Sequence, residues 1–545
     1  MNRVGRALAD FRKSKSGEYL VRVKVADISA LALVVVVGLY VGRFANWNLA
    51  PIEDAAILMR YAEHLAQGDG IVWNVGEPPV EGATDFLFMV SVAGVHCLGP
   101  SIETAARLIA VLAHFSTLGL IYIGMRSVQR SGIVPACLSG LYFAVGPGLF
   151  FAAAYFGTPF FVFAVAAAWL LAQRVIIGGR RRIRDLLYFS LACLAAGLIR
   201  PEGVLISVFL LVALGVVLPV KVFGRAALVF GAIFIVLGGA YFLWRWSYFG
   251  YPLPNPFYVK GGGQLYADGI RDSVLHSRIL LLPFIPAFLL SVRSSSTFRL
   301  GICFSIPIIA TTVMWIFLSS EMNFGGRFQY PVLAMGVLSW YPLVRSLRDD
   351  LSLPTLAAMS GRQQLAAILA AGFCLASVFA VQFRYSISIR YAADTRYDVG
   401  VMLGHFASRN YTIATTEAGA LPFYSRWRAI DTWGLNDEWI AHNGGITQEY
   451  LERQRPDVVV FHDIGALGTA DKRLERWDRQ VSELYGYVER HHFILAAVFG
   501  SSLHYAFYYY VRPDLPDRDE IVQAIRSMPP GDGIGRENFT RLLPP

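Results

Sequence analysis

Cysteine is nearly missing from this chain. The five present, Cys97, Cys137, Cys193, Cys303 and Cys374, all lie in or beside apolar segments, and none falls in the last 160 or so residues. None has zinc-ligand spacing, so neither a disulfide framework nor a cysteine metal site is implied. Charge is scarce as well. Asp, Glu, Lys and Arg make up 16% of the residues, against about 25% in an ordinary soluble domain. With 55% hydrophobic residues and a mean hydropathy of +0.47, a soluble globular protein of this size is excluded. A Walker A loop, a dinucleotide-binding glycine fingerprint and an HExxH helix are all absent. The "GGG" at 261–263 lacks a following Lys-Ser/Thr and reads as a flexible turn.

What is there instead is a series of apolar runs of about 15–25 residues, the length a bilayer-spanning helix requires. They recur through the first 380 or so residues and then nearly stop. The expected organisation is a transmembrane domain over 1–383 and a soluble domain over 384–545. Net charge is +9, but the basic residues sit in short clusters between spans. That is the positive-inside pattern of a multi-pass inner (plasma) membrane protein of bacteria, and it needs no nucleic-acid partner. The basic start (Arg3, Arg6, Arg12, Lys13, Lys15, Arg22, Lys24) reads as the cytoplasmic flank of an uncleaved anchor.

Keeping Lys/Arg clusters inside predicts about eleven spans. They fall at about 28–43, 104–125, 133–152, 159–177, 186–199, 203–219, 226–248, 278–292, 300–319, 329–345 and 365–382. The apolar stretch 86–99 is short for a crossing and reads as an interfacial or re-entrant helix. This topology puts the soluble domain outside. It also puts loop 1 (44–85), "YFGTP", "IRPEG", "YFGYPLPNPFYVKGGG" (248–263) and "SSEMNFGGRFQYP" (319–331) on one outer face.

Loop 1 opens with an acid pair, Glu53 and Asp54, at the start of a helical pattern. At 100° per residue, Ile57, Leu58, Tyr61, Ala62, Leu65 and Ala66 share one side, and Arg60, Glu63 and His64 the other. Asp54 then falls on the apolar side and Glu53 on the polar side. A carboxylate aimed into the protein is costly unless paired or functional; the alternative is that Asp54 is the helix N-cap. Further on, "WNVGEPPVEGATDF" supplies Glu77, Glu81 and Asp85 with Gly and Pro, a set that by itself reads first as a solvated loop and only second as functional.

The stretch "EDAAILMRYAEHLAQGDGIVWNVGEPPVEGATDFLF" resembles the first outer loop of GT-C fold, polyprenyl-phosphate-sugar-dependent glycosyltransferases, above all the branch of terminal β-(1→2) arabinofuranosyltransferases. In order, "GTPFF" (157–161), "LIRPEGVL" (198–205), "YFGYPLPNPFYVK" (248–260), "GGRFQYPVL" (325–333) and "DTWGLND" (431–437) extend the resemblance over about 50–440. Three features depart from that branch: the acid pair is Glu-Asp rather than Asp-Asp, Ala56 stands where an aromatic is expected, and Gly157 where a Glu usually precedes Thr-Pro.

The resemblance implies a pentosyltransferase that moves a sugar, arabinofuranose first among the options, from a polyprenyl-phosphate donor to a cell-envelope glycan. Mannose, aminoarabinose or another pentose stays open, as does the stereochemical outcome. It implies Asp54 as the base that deprotonates the acceptor hydroxyl, with Glu53 as orienter or alternative. Lys260, Arg327 and Arg200 are the cations expected near the leaving phosphate. Tyr61, Trp73, Asn255, Tyr258 and Glu81 are expected to contact sugar or acceptor. Bland readings stand beside these: Lys260 and Arg327 as snorkelling side chains, Arg200 as a partner of Glu202, and the aromatics as interfacial anchors.

No His/Asp/Glu triplet has metal spacing, so no obligatory metal is expected, although an acidic loop 1 is able to hold a divalent cation; His491-His492 reads as structural. The tail alternates strand-like runs ("YTIATTEAG", "WRAIDTWG", "PDVVVFHD", "LHYAFYYYVRP") with helix-like ones (397–408, 447–455, 472–486), predicting an α/β or α+β domain. Asp431, Trp433 and His462 fall at strand ends, where an acceptor site is one option. Two further classes stay open: a transporter or flippase of a lipid-linked sugar, and a non-catalytic envelope scaffold. A transporter is expected to carry intramembrane charges and internal repeats, neither of which is evident in the sequence.

Overall fold

The computed structural model describes residues 25–260, 267–318, 322–351, 360–389, 395–464, 472–528 and 540–543. The basic N-terminal segment and the triple glycine at 261–263 lie outside the described residues. Up to Ser388 every regular element among the described residues is a helix, the form that satisfies its own backbone groups where a bilayer offers no water. Among the described residues, seven helices are long and apolar enough to cross a membrane. They are Val25–Gly42, Ile102–Ser127, Ile133–Ala153, Thr158–Ile176, Val220–Phe249, Phe298–Phe317 and Gly361–Ser388.

An eighth candidate departs from expectation. The run predicted as a straight span over 278–292 is two helices, Gly269–Leu281 and Ile285–Arg293, bent by 91°. Pro283 and Pro286 explain the break, since proline removes a helix donor and clashes with the preceding turn. The paired runs around "IRP" form helices of 17 and 16 residues, Ile183–Ile199 and Glu202–Val217. Phe86–His96 has only 11 residues, too short at about 1.5 Å per residue to cross a core of about 30 Å.

Buried polar pairs fasten the bundle. Asp27 of the first span accepts hydrogen bonds from Arg126 Nε (2.6 Å) and Tyr122 Oη (3.0 Å) of the second. Gln129 and Gln173 both donate to the Leu338 carbonyl, at 2.5 and 2.9 Å.

The C-terminal part carries a six-stranded sheet in the order β2-β1-β3-β5-β4-β6. The strands are β1 (Thr412–Thr415), β2 (Arg428–Asp431), β3 (Val458–Asp463), β4 (Ile494–Ser502), β5 (Tyr505–Val511) and β6 (Thr540–Leu543). β2, β1 and β3 run parallel, and β5, β4 and β6 are joined antiparallel. Val458, Val459 and Val460 are all fully buried, as expected of an interior strand covered on both faces. The alternating pattern thus yields an α/β domain, but β4, β6 and the helix Arg518–Ser527 went unpredicted. The segment expected as a helix over 397–408 is α-helical only to Leu403 and tightens to a 3-10 turn over Gly404–Arg409.

Loop 1 joins the two parts. Its helix, Glu53–Gln67, stops at Gly68, whose φ of +90° suits glycine, and the Gly68 and Asp69 amides return to Leu65 and His64 carbonyls. The face predicted to be outward is covered by the C-terminal domain. Arg60, placed on that polar side by phase, is 4% exposed. Its guanidinium donates to the carbonyls of Trp73 (2.7 Å), Pro422 and Trp427 (2.8 Å) and to Asn74 Oδ1 (3.0 Å).

Candidate functional site

The first turn of the loop 1 helix sets the geometry. Its N-cap is Ile52, with no side-chain cap bond, so the reading of Asp54 as N-cap is corrected. Asp54 is the second residue of the helix, and its carboxylate pairs instead with Arg327 Nη2. Glu53, expected on an outward polar face, is 7% exposed and points at the C-terminal domain. It accepts from the Gly419 and Ala420 amides at 2.5 and 3.3 Å and pairs with Arg396 Nη1 at 3.1 Å. Neighbouring residues on a helix are 100° apart, so one acid faces each side.

On the Asp54 side lies a cavity of about 430 Å³. Asp54, Asp85, Glu202, Arg200, Arg327 and Lys260 supply its charged lining; Phe88, Phe156, Phe257, Trp315 and Phe328 supply much of the rest. Arg327 is 6% exposed, donates Nε to the Met322 carbonyl at 3.1 Å, and lies over Phe156 (4.0 Å) and Phe328 (5.0 Å). Arg200 pairs with Asp85 (3.4 Å) and Glu202 (3.3 Å). Burial pushes the Asp85 carboxyl above its ordinary value, against the opposing pull of Arg200. Gly157 forms part of the wall: a Cβ there would stand 2.6 Å from the Phe88 ring.

Four sequence candidates therefore share one cavity: Asp54, Lys260, Arg327 and Arg200. Tyr61, Trp73, Asn255, Tyr258 and Glu81 line neither this cavity nor the recess beside it. Tyr61 Oη donates to the Val80 carbonyl (2.9 Å) and lies 3.1 Å from Asn436 Oδ1. Trp73 Nε1 donates to the Ala429 carbonyl of β2 (2.9 Å). Asn255 takes the Glu81 carbonyl with its amide (3.0 Å) and the Gly434 carbonyl with its side chain (3.3 Å), fixing the short helix that ends in Lys260. Tyr258 packs on His442 at 4.4 Å. Glu81 pairs with Arg245; burial lifts its carboxyl to about 7 even though Arg245 opposes the shift.

On the Glu53 side lies a recess of about 60 Å³, bordered by Glu53, Asp54, Lys260, Thr416, Glu417, Asp431 and Trp433 among others. Asp431 is fully buried and accepts from the Trp433, Gly434 and Asn436 amides and the Asn436 side chain. Burial still pushes its carboxyl up to about 6. Arg396 and Glu417 are not among the sequence candidates, and Asp85 is named there only with Glu77 and Glu81 as part of loop 1, with no role assigned. For Asp85 a signal existed, an acid immediately before an apolar helix; nothing local marked Arg396. Among the described residues no group of three His, Cys, Asp or Glu is arranged to hold a metal ion.

Comparison with known proteins bears on the fold. A family model described as a domain of unknown function (DUF8728) matches residues 385–511. No curated protein sequence matches the chain significantly. Solved structures do. The oligosaccharyltransferase of Archaeoglobus fulgidus in its apo form aligns with a TM-score of 0.53 at 11% identity, over 90% of this chain and 75% of that one. ArnT from Cupriavidus metallidurans aligns in its apo state (TM-score 0.53) and bound to undecaprenyl phosphate (0.52). Both alignments have 14% identity and cover 89% of this chain and 97% of that one. At such identities the likeness speaks for architecture. The chain is a multi-pass membrane protein with a GT-C-like helical region and a C-terminal α/β domain.

Proposed function

We propose that the chain is a membrane glycosyltransferase that takes a sugar from a polyprenyl-phosphate donor and transfers it to a cell-envelope glycan. The single observation that carries this reading is the convergence of Asp54, Arg327, Arg200 and Lys260 on one cavity whose uncharged wall is largely apolar. A lipid phosphate needs both halves of such a wall: cations for the headgroup and apolar surface for the first isoprene units. The alignment with ArnT bound to undecaprenyl phosphate supports a donor of this class.

In the proposed reaction an acceptor hydroxyl attacks the anomeric carbon. Its proton passes to Asp54, the new glycosidic C–O bond forms, and the bond from the anomeric carbon to the phosphate oxygen breaks. Polyprenyl phosphate leaves with the bonding electron pair, and its charge is met by Arg327, Lys260 and Arg200. Tyr61, Trp73, Asn255 and Glu81 act by holding loop 1 and the Lys260 helix in place rather than by touching sugar. The basic clusters on the opposite loops favour an extracytoplasmic active face with residues 384–545 outside the inner membrane. Arabinofuranose is the sugar the sequence resemblance favours.

The test is purified protein in lipid nanodiscs, offered a panel of polyprenyl-phosphate sugars and envelope glycan acceptors. Transfer of one sugar, with product identified by mass, is expected. No transfer from any donor, or full turnover by the Asp54→Asn, Glu53→Gln and double variants, overturns the reading.

A further inference from the structure

Behind the acid pair, away from the main cavity, the C-terminal domain presents a connected polar set, buried at Glu417 and half-buried at Arg396 and His462. Arg396 Nη1 pairs with Glu417 Oε2 and lies 3.1 Å from Glu53 Oε1. Its guanidinium rests 4.8 Å above the Phe507 ring of β5. His462 of β3 approaches Glu417 from the other side, with Nδ1 3.4 Å from Oε1, and stacks on the same Phe507 at 4.1 Å. Burial opposes ionisation of Glu417, but Arg396 and His462 together hold its carboxyl below the ordinary value. The Gly419 and Ala420 amides complete the hold on Glu53.

Two physical points decide what this set does. The recess it borders is about 60 Å³, far below the roughly 300–1,000 Å³ of ordinary ligand sites, so it offers no room for a sugar ring. And the group it grips, Glu53, is the first residue of the helix whose second residue is Asp54. Two amide donors and a guanidinium on one carboxylate fix the rotation of that helical turn, because a rotation that moves Asp54 must pull Glu53 off all three.

We infer that the C-terminal domain is part of the reacting centre, and that Arg396, held between Glu417 and Glu53, is a positioning residue that sets the direction of Asp54. This gives a physical task to the segment 385–511, whose family model carries no function: Arg396, Glu417, Gly419, Ala420, His462 and Phe507 all lie within it. The inference rests on the proposed transferase reading, but its structural half is measured separately.

The experiment uses the full chain in nanodiscs, as wild type, Arg396→Ala, Arg396→Lys and Glu417→Gln. Amide hydrogen exchange is followed at residues 53–60 and 417–421, alongside turnover with the polyprenyl-phosphate sugar that wild type uses. Arg396→Ala is expected to speed exchange in both segments at least tenfold. Its kcat is expected to fall about 10- to 100-fold, with the donor KM within twofold of wild type. Arg396→Lys, which keeps the charge but not the fork, should recover part of both. Unchanged exchange in Arg396→Ala overturns the inference, as does unchanged kcat, or a loss confined to donor KM. If Arg396→Ala fails to fold, Arg396→Lys and Glu417→Gln decide by the same readouts. If wild type transfers no sugar from any donor, the transferase reading fails, and exchange alone decides whether Arg396 fixes the helix.

Discussion

Asp54→Asn separates the base role proposed for Asp54 from its ion pair with Arg327. Asparagine keeps the shape and removes both the negative charge and the capacity to take a proton. Loss of a general base lowers the chemical step by about 10²–10⁴-fold. Loss of the ion pair has its own cost. Breaking a fully buried pair destabilises by about 3–5 kcal/mol, but the Asp54 side chain is 24% exposed, which brings the expected loss to about 1–2 kcal/mol. Arg327 does not move far, because the Met322 carbonyl and the faces of Phe156 and Phe328 still hold it. With its carboxylate partner gone, it remains available to the donor phosphate, so the donor KM should hold or fall. The assay is steady-state transfer at saturating acceptor, with polyprenyl phosphate binding and thermal unfolding measured on the same preparations. A kcat within tenfold of wild type refutes the assignment of Asp54 as base. A loss that falls wholly on donor binding refutes it equally, and makes Asp54 an organiser of Arg327.

The other predictions concern the scaffold around the cavity. Arg60→Lys should destabilise by about 3 kcal/mol or more, because an ammonium cannot reach the four acceptors that the buried guanidinium now satisfies; denaturation of the variant in detergent measures it. Gly157→Ala should cost about 1–3 kcal/mol through overpacking against Phe88 and raise the donor KM; an unaltered KM would mean that this wall does not touch the donor. Trp73→Phe removes the bond to Ala429 and should lower the unfolding midpoint while leaving kcat per folded molecule within twofold; a large kcat loss would restore Trp73 as a sugar contact. Glu81, lifted to about 7 by burial, binds its proton more tightly folded than unfolded. Its contribution to stability is therefore full below about 4.5 and is lost as pH rises through about 7. The unfolding midpoint should fall between pH 5 and 8, by on the order of 1–3 kcal/mol in stability, and Glu81→Gln should flatten that slope.

What was legible in the sequence follows from what is local. Apolar runs and proline positions are local, so the seven candidate spans among the described residues fall close to predicted ranges, while the runs predicted at 186–199, 203–219 and 329–345 are not among them; the 91° break, which two prolines explain, is legible only after one weighs Pro283 and Pro286 against the surrounding leucines. β4 was missed because "ILAAVFGSS" is rich in residues of low strand preference. Its pairing with β5 also shifts register between Leu495 and Ala497, so the alternation that would mark it is disturbed. In the site, charges in outer loops were found as a group, and three of the cations share the cavity with Asp54. The side chains that fasten loop 1 could not be told from ligand contacts, since Tyr61, Trp73 and Asn255 have the chemistry of both. Their partners, Asn436, Ala429 and Gly434, lie between about 180 and 375 positions away in the chain.

The same distance explains why phase alone placed Asp54 rightly toward the protein but misassigned Glu53. An amphipathic helix on a membrane has one buried side and one wet side, and by that rule Glu53 belongs in water. This helix has two buried sides at its start, because the C-terminal domain covers what the bilayer face leaves open. A Glu-Asp pair at the first turn of such a helix cannot act as two copies of one group. The 100° between them sends Asp54 toward Arg327 and the large cavity, and Glu53 toward Arg396 and the amides at the start of the helix Ala420–Ser425. The longer side chain reaches the domain. The shorter one, drawn back against the helix, keeps its carboxylate at the cavity wall. On this geometry Glu53 is committed to structure by its three donors, and Asp54 is the carboxylate of the pair left facing the large cavity, which is why the proposal gives the proton to it.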